Sequence, residues 1–561
     1  MSEVNSTTRH GGQLLVESLI ALGVAKAFGV PGESYLAVLD ALHDTAGRLD
    51  FVLCRNEGGA SFMASAYGKL TGRPGICFVT RGPGAANASI GVHTAMQDSS
   101  PMILFVGQVG TGMRGREAFQ ELDYRAVFGS VAKWAVEIDS VDRIPEMLAR
   151  AWTAACSGRP GPVVVALPED VLTAHTQTPP LARAAVVAEP APRPADLEAA
   201  LALLGAASRP AILIGGTGWT EAGRRALQSF AEASDIPVVA AFRYQDQFDN
   251  FSPAFVGEAG VGMLPHVKAL LRGADVVAAV NVRFGEMTTD GYGLFDVPSP
   301  RQTLIHVHPS DRELGKIYVP ALALHAGPNA FAAALSPVPA RRQQWRAQAR
   351  AAYEASFTVP PQPSPVDMAV VTAWLRETLP EDAILTNGAG NFTVWPNKFF
   401  KFGPKARLLA PQSGAMGYGL PAAVAAKVAH PERTVVCFAG DGDFQMNCQE
   451  LGTAMQAGAQ PIVLIVNNGI YGTIRAHQER NYPARVSGTT MRNPDFVAVA
   501  KAYGFHAERV EATGDFGPAF RRALASRTGA VLDLVVSADA VTPRQTLSQM
   551  RATALAARER A

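Results

Sequence analysis

The sequence is poor in the features that mark several other classes of protein. Its 561 residues include only five cysteines, and none lies in a Cys-x-x-Cys pair or a metal-ligand cluster. We therefore expect neither a disulfide scaffold nor a structural zinc site. The net charge is +1 without a basic run, which leaves nucleic-acid binding without electrostatic support.

Long apolar segments are scarce as well. No apolar stretch reaches the roughly 18 uncharged residues that a membrane-spanning helix needs. The start of the chain, Met1 to Arg9, is polar and lacks the apolar core of a signal peptide. We therefore expect a cytoplasmic protein with no membrane partner.

What remains is an ordinary globular composition, with 48% hydrophobic and 18% charged residues. The length exceeds the size at which a single core keeps growing, so three domains are expected. Strand-like apolar runs alternate with helical segments throughout, which predicts an α/β fold of three doubly wound parallel-sheet domains. Pro-rich breaks suggest domains at residues 1–180, 190–340 and 365–541, followed by a helical or disordered tail at 542–561.

Polar residues follow two of these apolar runs in the third predicted domain. Gly440-Asp441-Gly442 ends the run 434–439, and Asn467-Asn468 ends the run 461–466, with a helix-like segment between them. The carboxyl ends of neighbouring parallel strands meet at one edge of a sheet, where α/β proteins bind ligands. A carboxylate and a carboxamide at this edge suit Mg²⁺ or Ca²⁺ held against a phosphate-bearing ligand. Each motif alone is only a turn signal, so the prediction depends on their pairing.

The pair resembles the diphosphate-anchoring motif of thiamine-diphosphate (ThDP) enzymes. This resemblance implies that Asp441, Asn468 and the main-chain carbonyl of Ile470 bind Mg²⁺, which bridges to the cofactor. It extends over essentially the whole chain, because three α/β blocks of similar size match the Pyr, middle and PP domains of ThDP-dependent decarboxylases and acetolactate synthases.

The first predicted domain contains a candidate acid for activating the cofactor. Glu57 follows the strand-like run 51–54 and precedes a helix start rich in small residues, Gly58 to Ala66. A glutamate there is also explained by the positive end of a helix dipole. The segment around Glu57 resembles the activating glutamate of the ThDP enzymes, whose carboxyl engages N1' of the cofactor pyrimidine.

Other segments resemble cofactor contacts of the same family. Gly82 to Ala86, between Thr80 and Asn87, is either an anion-binding helix start or a simple tight turn. Met416 matches the apolar residue that props the cofactor in its bent form, although a core methionine is the alternative. The stretch Gly388 to Phe392 departs from the Gly-Gln-His-Gln of acetolactate synthases. The complete set implied by the resemblance is Pro31, Gly32, Glu57, Thr80, Gly84, Asn87, Gly388, Asn391, Gly414, Met416, Gly440, Asp441, Gly442, Asp443, Asn468, Ile470, Tyr471 and Gly472.

The predicted reaction pocket matches the acetolactate synthases only in part. Phe119 and Gln120 resemble pocket residues of that group, so Gln120 is a candidate catalytic residue. Thr473 and His477 stand where the group has Met and Trp, and the Trp selects the second 2-oxo acid. His477 is therefore either a catalytic or substrate-binding group, since its ordinary pKa suits acid–base work, or a solvated surface residue.

A flavin is a further candidate, because acetolactate synthases hold a structural FAD in the middle domain. The Gly215-Gly216 pair follows a strand-like run and is weak evidence for a dinucleotide. Arg283 and His306 fall in segments that match flavin-binding ones, but Gly285 and His308 replace acidic residues there. The alternatives are FAD, ADP or no ligand.

These features predict a ThDP- and Mg²⁺-dependent transferase or lyase that acts on a 2-oxo acid such as pyruvate by decarboxylation and carboligation. The resemblance also implies a homodimer or homotetramer with active sites shared between subunits. The alternatives are another ThDP-dependent lyase, decarboxylase or hydrolase, a nicotinamide-dependent oxidoreductase, and a non-catalytic paralogue.

Overall fold

The computed structural model describes residues 8–183 and 186–560. In this part of the chain, the strands form three six-stranded sheets and one short antiparallel pair. Within each large sheet, all neighbouring strands run parallel. The α/β fold with three parallel sheets is therefore confirmed.

The first sheet has the strand order β3-β2-β4-β5-β7-β6. Its central strands are runs of consecutive buried apolar residues, as expected for a parallel sheet covered on both faces. The elements are β1 (Arg9–His10), α1 (Gly11–Ala21), β2 (Lys26–Gly29), α2 (Leu36–Asp44), β3 (Asp50–Leu53), α3 (Glu57–Thr71), β4 (Gly75–Val79), α4 (Gly82–Asp98), β5 (Met102–Gln108), α5 (Tyr124–Phe128), β6 (Trp134–Glu137), α6 (Ile144–Cys156), β7 (Pro162–Pro168), α7 (Glu169–Thr173) and β8 (His175–Thr176).

The second sheet has the order β11-β10-β9-β12-β13-β14, which is the Rossmann order, with the chain reversing direction between β9 and β12. The helix α12 follows this sheet in the second Pro-rich region, which separates the second and third predicted domains. The elements are α8 (Pro194–Ala206), β9 (Pro210–Ile214), α9 (Glu221–Ala233), β10 (Val238–Ala241), β11 (Phe255–Ala259), α10 (Pro265–Gly273), β12 (Val276–Val280), β13 (Thr303–His308), β14 (Leu322–His325), α11 (Pro328–Ala334) and α12 (Gln343–Ala355).

The third sheet has the order β16-β15-β17-β18-β20-β19. When the six strands of each sheet are numbered in chain order, the first and third sheets have the same order, 2-1-3-4-6-5. The two sheets therefore share one topology, although their sequences show no obvious repeat. The elements are α13 (Met368–Thr378), β15 (Ile384–Asn387), β16 (Arg407–Leu409), α14 (Gly419–Ala429), β17 (Val435–Gly440), α15 (Asp441–Gln445), α16 (Glu450–Gln456), β18 (Ile462–Asn467), α17 (Gly472–Asn481), α18 (Phe496–Ala502), β19 (His506–Val510), α19 (Phe516–Ala525), β20 (Ala530–Val535) and α20 (Leu547–Glu559).

This shared topology fixes where polar residues can gather. In both sheets the chain reverses direction beside the first strand, between β2 and β4 in the first sheet and between β15 and β17 in the third. Ligands of such sheets bind beyond the carboxyl ends of the strands at this point. Several segments expected to bind the cofactor follow these four strands directly, whereas Glu57 follows β3, Met416 follows β16 and Asn468 follows β18.

The chain divides into two compact units. The first comprises the described part of Met1–Ala188 together with Leu420–Pro431 and Asn447–Gln460, and the second comprises the remaining segments from Glu189 onwards. Two segments of the third predicted domain thus pack within the first unit, and the predicted boundaries stay predictions. Residues 1–7 of the first predicted domain, 184–185 of the linker and 561 of the tail lie outside the described residues.

Among the described residues, no helix is both long and apolar enough to cross a membrane. The cysteines in this part of the chain are free thiols. This agrees with a sequence that has no paired cysteine motif.

Candidate functional site

A cavity of about 200 Å³ lies in the second unit, lined mainly by residues that follow β15, β16, β17 and β18. The cavity brings together most of the residues that the sequence assigned to the diphosphate and metal end of the cofactor. These lining residues are Asn391, Gly414, Met416, Gly440, Asp441, Gly442, Asp443, Asn468, Ile470, Tyr471 and Gly472. Gly388, the remaining predicted residue of this set, is so close to Asp443 that an added Cβ would lie 2.0 Å from its Oδ1.

The carboxylate of Asp441 is buried and held from both sides. Its Oδ1 accepts the main-chain N–H of Gly442 at 3.0 Å. Its Oδ2 accepts the N–H of Gly469 at 2.7 Å and an Nδ2–H of Asn493 at 2.7 Å. Burial raises the pKa of Asp441, and these three donors oppose the rise. The carboxylate is therefore fixed in orientation within the cavity.

Asn468 is fixed by its own turn, because its Oδ1 accepts the N–H of Ile470 at 3.1 Å. A carboxylate and a carboxamide oxygen, with the carbonyl of Ile470 nearby in sequence, make the all-oxygen set that Mg²⁺ prefers. The residues present thus fit a divalent cation. Their assignment as its ligands stays a prediction.

Asp443 is a second buried carboxyl group of the cavity. Its Oδ1 accepts the N–H groups of Gly417 at 2.9 Å and Ala389 at 3.1 Å, whereas its buried Oδ2 has no hydrogen-bond partner in the described structure. Burial raises the pKa of Asp443 to about 7, against the effect of these N–H groups and of the Arg243 charge. A buried polar atom without a protein partner is expected to meet a ligand or an ordered water.

In the first unit, Glu57 begins α3 and is half-buried. Its Oε2 accepts an Nδ2–H of Asn87 at 2.9 Å, and an added Cβ on Gly84 would lie 3.6 Å from its Oε1. Asn56 caps the helix by accepting the N–H of Gly58 at 2.8 Å. The structure therefore brings together three residues of the predicted cofactor-binding set, Glu57, Gly84 and Asn87.

Thr80 connects this group to the loop after β2. Its Oγ1 lies 3.0 Å from the hydroxyl of Ser34, and an added Cβ on Gly32 would lie 2.6 Å from the Cβ of Thr80. Gly84 also lies against Thr80, because a Cβ added to Gly84 would lie 3.1 Å from Cγ2 of Thr80. Pro31, which precedes Gly32, is exposed.

The other predicted pocket residues of this unit have separate roles. The main-chain carbonyl of Gln120 accepts the N–H of Gly82 at 2.9 Å, which ties it to the start of α4. Gln108 is buried and donates to the carbonyl of Leu122 and to Glu137. Lys133 donates to the carbonyl of Ser157 at 2.7 Å.

Comparison with known proteins assigns all three sheets to one family. Family models match residues 9–127 as the N-terminal TPP binding domain, 197–335 as the central domain and 388–534 as the C-terminal TPP binding domain of thiamine pyrophosphate enzymes. The chain is 32% identical to the acetolactate synthase isozyme 2 large subunit of Escherichia coli, over 89% of this chain and 91% of the relative. It is 32% identical to the acetolactate synthase large subunit of Corynebacterium glutamicum, over 94% and 87%. It is 30% identical to the mitochondrial acetolactate synthase catalytic subunit of Saccharomyces cerevisiae, over 94% and 80%.

The chain belongs to the thiamine pyrophosphate enzymes. It is a ThDP-dependent enzyme with an acetolactate-synthase-like function. The resemblance inferred from the sequence is confirmed, and so is the prediction of ThDP as a cofactor.

Two of the departures from the acetolactate synthases, Thr473 and His477, lie on α17. Thr473 lines the cavity, whereas His477 lies one turn further along the helix, exposed and outside the lining. Residues four apart share a helix face, so His477 lies on the face that begins at the cavity. Its catalytic assignment stays a prediction.

Several residues of this thiamine pyrophosphate enzyme escaped the sequence analysis. Asn493 donates to both Asp441 and Asn467, and Asn467 in turn donates to Asp533, which is fully buried. The only signal for Asp533 was a carboxylate inside the apolar strand β20. Loop 482–495 offered no periodic pattern from which Asn493 could be inferred.

Glu450 is another residue that the sequence did not reveal. It is fully buried in the first unit and accepts N–H groups from Arg55 at 3.3 Å and Asn56 at 3.0 Å. Thr453 donates to the same carboxylate at 2.6 Å. Glu450 thereby fixes the two residues that precede Glu57.

Two of the middle-domain residues considered for flavin binding, Gly216 and His306, are in close contact with other residues of the chain. An added Cβ on Gly216 would lie 2.4 Å from the Nδ2 of Asn281, so the protein's own side chain requires a glycine there. His306 is buried, its ring donates to the carbonyl of Val282 at 3.0 Å, and burial lowers its pKa to about 4. The contact of Gly216 needs no dinucleotide, whereas the buried Nδ1 of His306 has no hydrogen-bond partner in the described structure. FAD stays a prediction.

Proposed function

We propose that the protein uses Mg²⁺ and ThDP to decarboxylate a 2-oxo acid such as pyruvate and to join the remaining fragment to a second carbonyl compound. The observation that carries this proposal is the cavity in which Asp441, Asn468 and Met416 meet. It combines oxygen ligands for a cation with an apolar side chain. The similarity to acetolactate synthases supports the same reaction.

Bound ThDP supplies the electron sink that allows a 2-oxo acid to lose carbon dioxide. In this proposal, Asp441, Asn468 and the carbonyl of Ile470 hold the cation and thereby the diphosphate end. Glu57 holds a proton at the pyrimidine end, with Asn87 orienting its carboxyl group through the 2.9 Å hydrogen bond.

Active sites shared between subunits are part of the proposal. Glu57 lies in the first compact unit and Asp441 in the second. Large apolar side chains are exposed on the first unit, among them Leu36 and Phe119, which are 61% and 71% accessible. Single exposed apolar side chains do not by themselves define an interface, so the homodimer or homotetramer of this proposal rests on the family resemblance.

A second candidate is another ThDP-dependent lyase, decarboxylase or hydrolase with a different substrate. Thr473 and His477 favour it, because both are polar residues at positions where acetolactate synthases have Met and Trp. Polar side chains there would select a different acceptor from the one that an apolar pair selects.

The test is product analysis with purified protein, Mg²⁺ and ThDP. Pyruvate alone, pyruvate with a second 2-oxo acid and pyruvate with an aldehyde are supplied, and carbon dioxide and the carbon-linked products are measured. Acetolactate formation supports the first candidate, and release of free aldehyde from pyruvate supports the second. Turnover that persists after complete removal of ThDP and divalent ions contradicts both.

The remaining predictions need separate measurements. The visible absorbance of the purified protein tests for bound FAD, since a flavoprotein is yellow. Cell fractionation tests the expected cytoplasmic location.

A further inference from the structure

The C-terminal helix α20 packs against α17, whose first turn lines the cofactor cavity. Five buried apolar residues form a cluster between these segments: Ile470, Ala476, Val541, Leu547 and Met550. Ile470 also lines the cavity. The chain beyond the last strand thus shares a small core with the residues that surround the expected metal site.

A buried ion pair fastens the two helices. The carboxylate of Glu479 on α17 has no solvent-accessible side-chain surface, and Arg551 on α20 reaches it from a partly exposed position. Arg551 donates from Nε to Oε2 at 2.8 Å and from Nη2 to Oε1. The N–H of Ala484 donates to Oε2 at 3.0 Å. A two-point pair of this kind fixes orientation as well as distance.

Further hydrogen bonds connect the tail to both ends of this arrangement. Arg558 donates to the carbonyl of Asn481, the last residue of α17, at 2.6 Å. On the cavity side, Asn391 donates from Nδ2 to the carbonyl of Val541 at 3.2 Å. Asn391 is also in close contact with Gly472, where an added Cβ would lie 2.5 Å from its Oδ1. The tail therefore touches the cavity wall at Asn391, at Ile470 and along α17.

We propose that Arg551 is a positioning residue. Through its pair with Glu479 it holds α17 in register, so that the C-terminal helix sets how tightly the cavity binds metal-bound ThDP. Arg551 reaches the cavity only through Glu479 and α17. This inference rests on the proposed function only in taking Mg²⁺ as the metal.

The test measures ThDP affinity rather than turnover alone. Titration calorimetry with ThDP at saturating Mg²⁺ gives the Kd of the full-length protein and of the variant Arg551→Gln. Because this variant leaves a buried carboxylate without its partner and could fail to fold, the double variant Glu479→Gln/Arg551→Gln is measured as well. Arg551→Lys is the conservative variant. Arg560→Ala is the matched control, since Arg560, which directly follows α20, donates to the carbonyl of Ala556 at 3.0 Å and not to α17 in the described structure.

We expect Kd to rise at least about 10-fold in the double variant, in the range seen when residues that orient metal ligands are removed. Arg551→Lys should recover part of the affinity, and Arg560→Ala should match the wild type. Hydrogen exchange of the α17 amides should accelerate in the double variant, while exchange in β5 and β7 stays slow. A folded double variant with a Kd within 2-fold of wild type overturns the proposal, as does a fall in affinity without faster exchange in α17.

This result is separable from the proposed reaction. If the wild type binds ThDP with Mg²⁺ but forms no product from pyruvate, the proposed substrate is wrong while the role of Arg551 is still tested by the Kd values. If acetolactate forms and the double variant keeps wild-type affinity, the reaction stands and the positioning role is wrong.

Discussion

Asp441 and Asp443 are two residues apart and both buried, yet their surroundings assign them different tasks. Asp441 has hydrogen-bond donors at both oxygens, which favours a charged carboxylate. Asp443 keeps one oxygen without a partner in the described structure, and its pKa is raised to about 7. A cation near Asp441 therefore finds a fixed negative charge, whereas Asp443 suits a hydrogen-bonding role.

The acid at the start of α3 gives the first prediction. In Glu57→Gln the side chain can no longer take up or release a proton. Its size, and an oxygen that can accept the hydrogen bond from Asn87, are preserved. We expect turnover to fall by about 100-fold or more, the usual contribution of acid–base catalysis. The measurement is steady-state turnover of pyruvate beside calorimetric ThDP affinity.

The matched control for this variant is Glu33→Gln, at an exposed glutamate of the same domain. A Glu57→Gln protein with wild-type turnover would remove Glu57 from the chemistry.

Asn493 gives the second prediction, because it orients Asp441 without being an expected ligand. Asn493→Ala should weaken Mg²⁺ binding by about 10- to 100-fold, as for other residues that orient metal ligands. The measurement is the Mg²⁺ concentration that half-activates the enzyme at saturating ThDP. Arg492→Ala, at the exposed neighbour, should leave this concentration unchanged, and an equal loss in both variants would contradict the assignment.

The residues of the site that could be inferred from sequence are those that lie next to a recognisable strand. Asp441 and Asn468 follow apolar runs, so their position at the edge of a sheet was predictable. Asn493 and Glu450 were not, because their partners are remote: Asn493 lies 52 residues from Asp441, and Glu450 lies 395 from Arg55. Hydrogen bonds over such separations leave no periodic trace in the sequence.

At the scale of elements, buried strands were the most predictable. β17 and β18 consist almost entirely of consecutive apolar residues, and the predicted runs 434–439 and 461–466 overlap them closely. The edge strand β6 was missed, because three of its four residues are only partly buried and its sequence is not a continuous apolar run. An edge strand pairs with one neighbouring strand only. Its side chains are therefore less buried and need not all be apolar.

The pair between α17 and α20 gives the third prediction, which concerns pH. Arg551 holds the pKa of Glu479 below its usual 4.5. A carboxylate whose pKa is lowered by folding adds stability that is fully present above its unfolded pKa and is lost as the pH falls through the folded value. We therefore expect the docking of α20 to weaken below about pH 4.5.

The measurement for this prediction is the thermal midpoint from pH 7 downwards. The wild type should lose its advantage over Glu479→Gln/Arg551→Gln as the pH falls below this value. A difference between the two proteins that is constant across the whole range would contradict it.

At the scale of the whole molecule, the proposed sharing of sites between subunits gives the fourth prediction. Glu57→Ala and Asp441→Ala proteins should each be nearly inactive. Random mixing makes half of the dimers mixed, and each of these has one intact site, so activity should return to about a quarter of the wild type. Sedimentation of the mixture checks that subunits have exchanged.

Two controls make the mixing experiment decisive. Each variant incubated with more of itself should stay inactive, and a mixture of Glu57→Ala with wild type calibrates the exchange. Confirmed exchange without recovered activity would show that each site is built from one chain.

The return of residues 420–431 and 447–460 to the first unit has a consequence for how this protein can be dissected. Arg55 donates to Gln456 at 2.7 Å, and Glu450 accepts from the turn before α3. A fragment that stops at the second Pro-rich region would lack these helices and leave their apolar docking surface open to solvent. A fragment designed to carry the first unit should therefore include both segments, because a cut anywhere between residues 188 and 420 separates them from the rest of that unit.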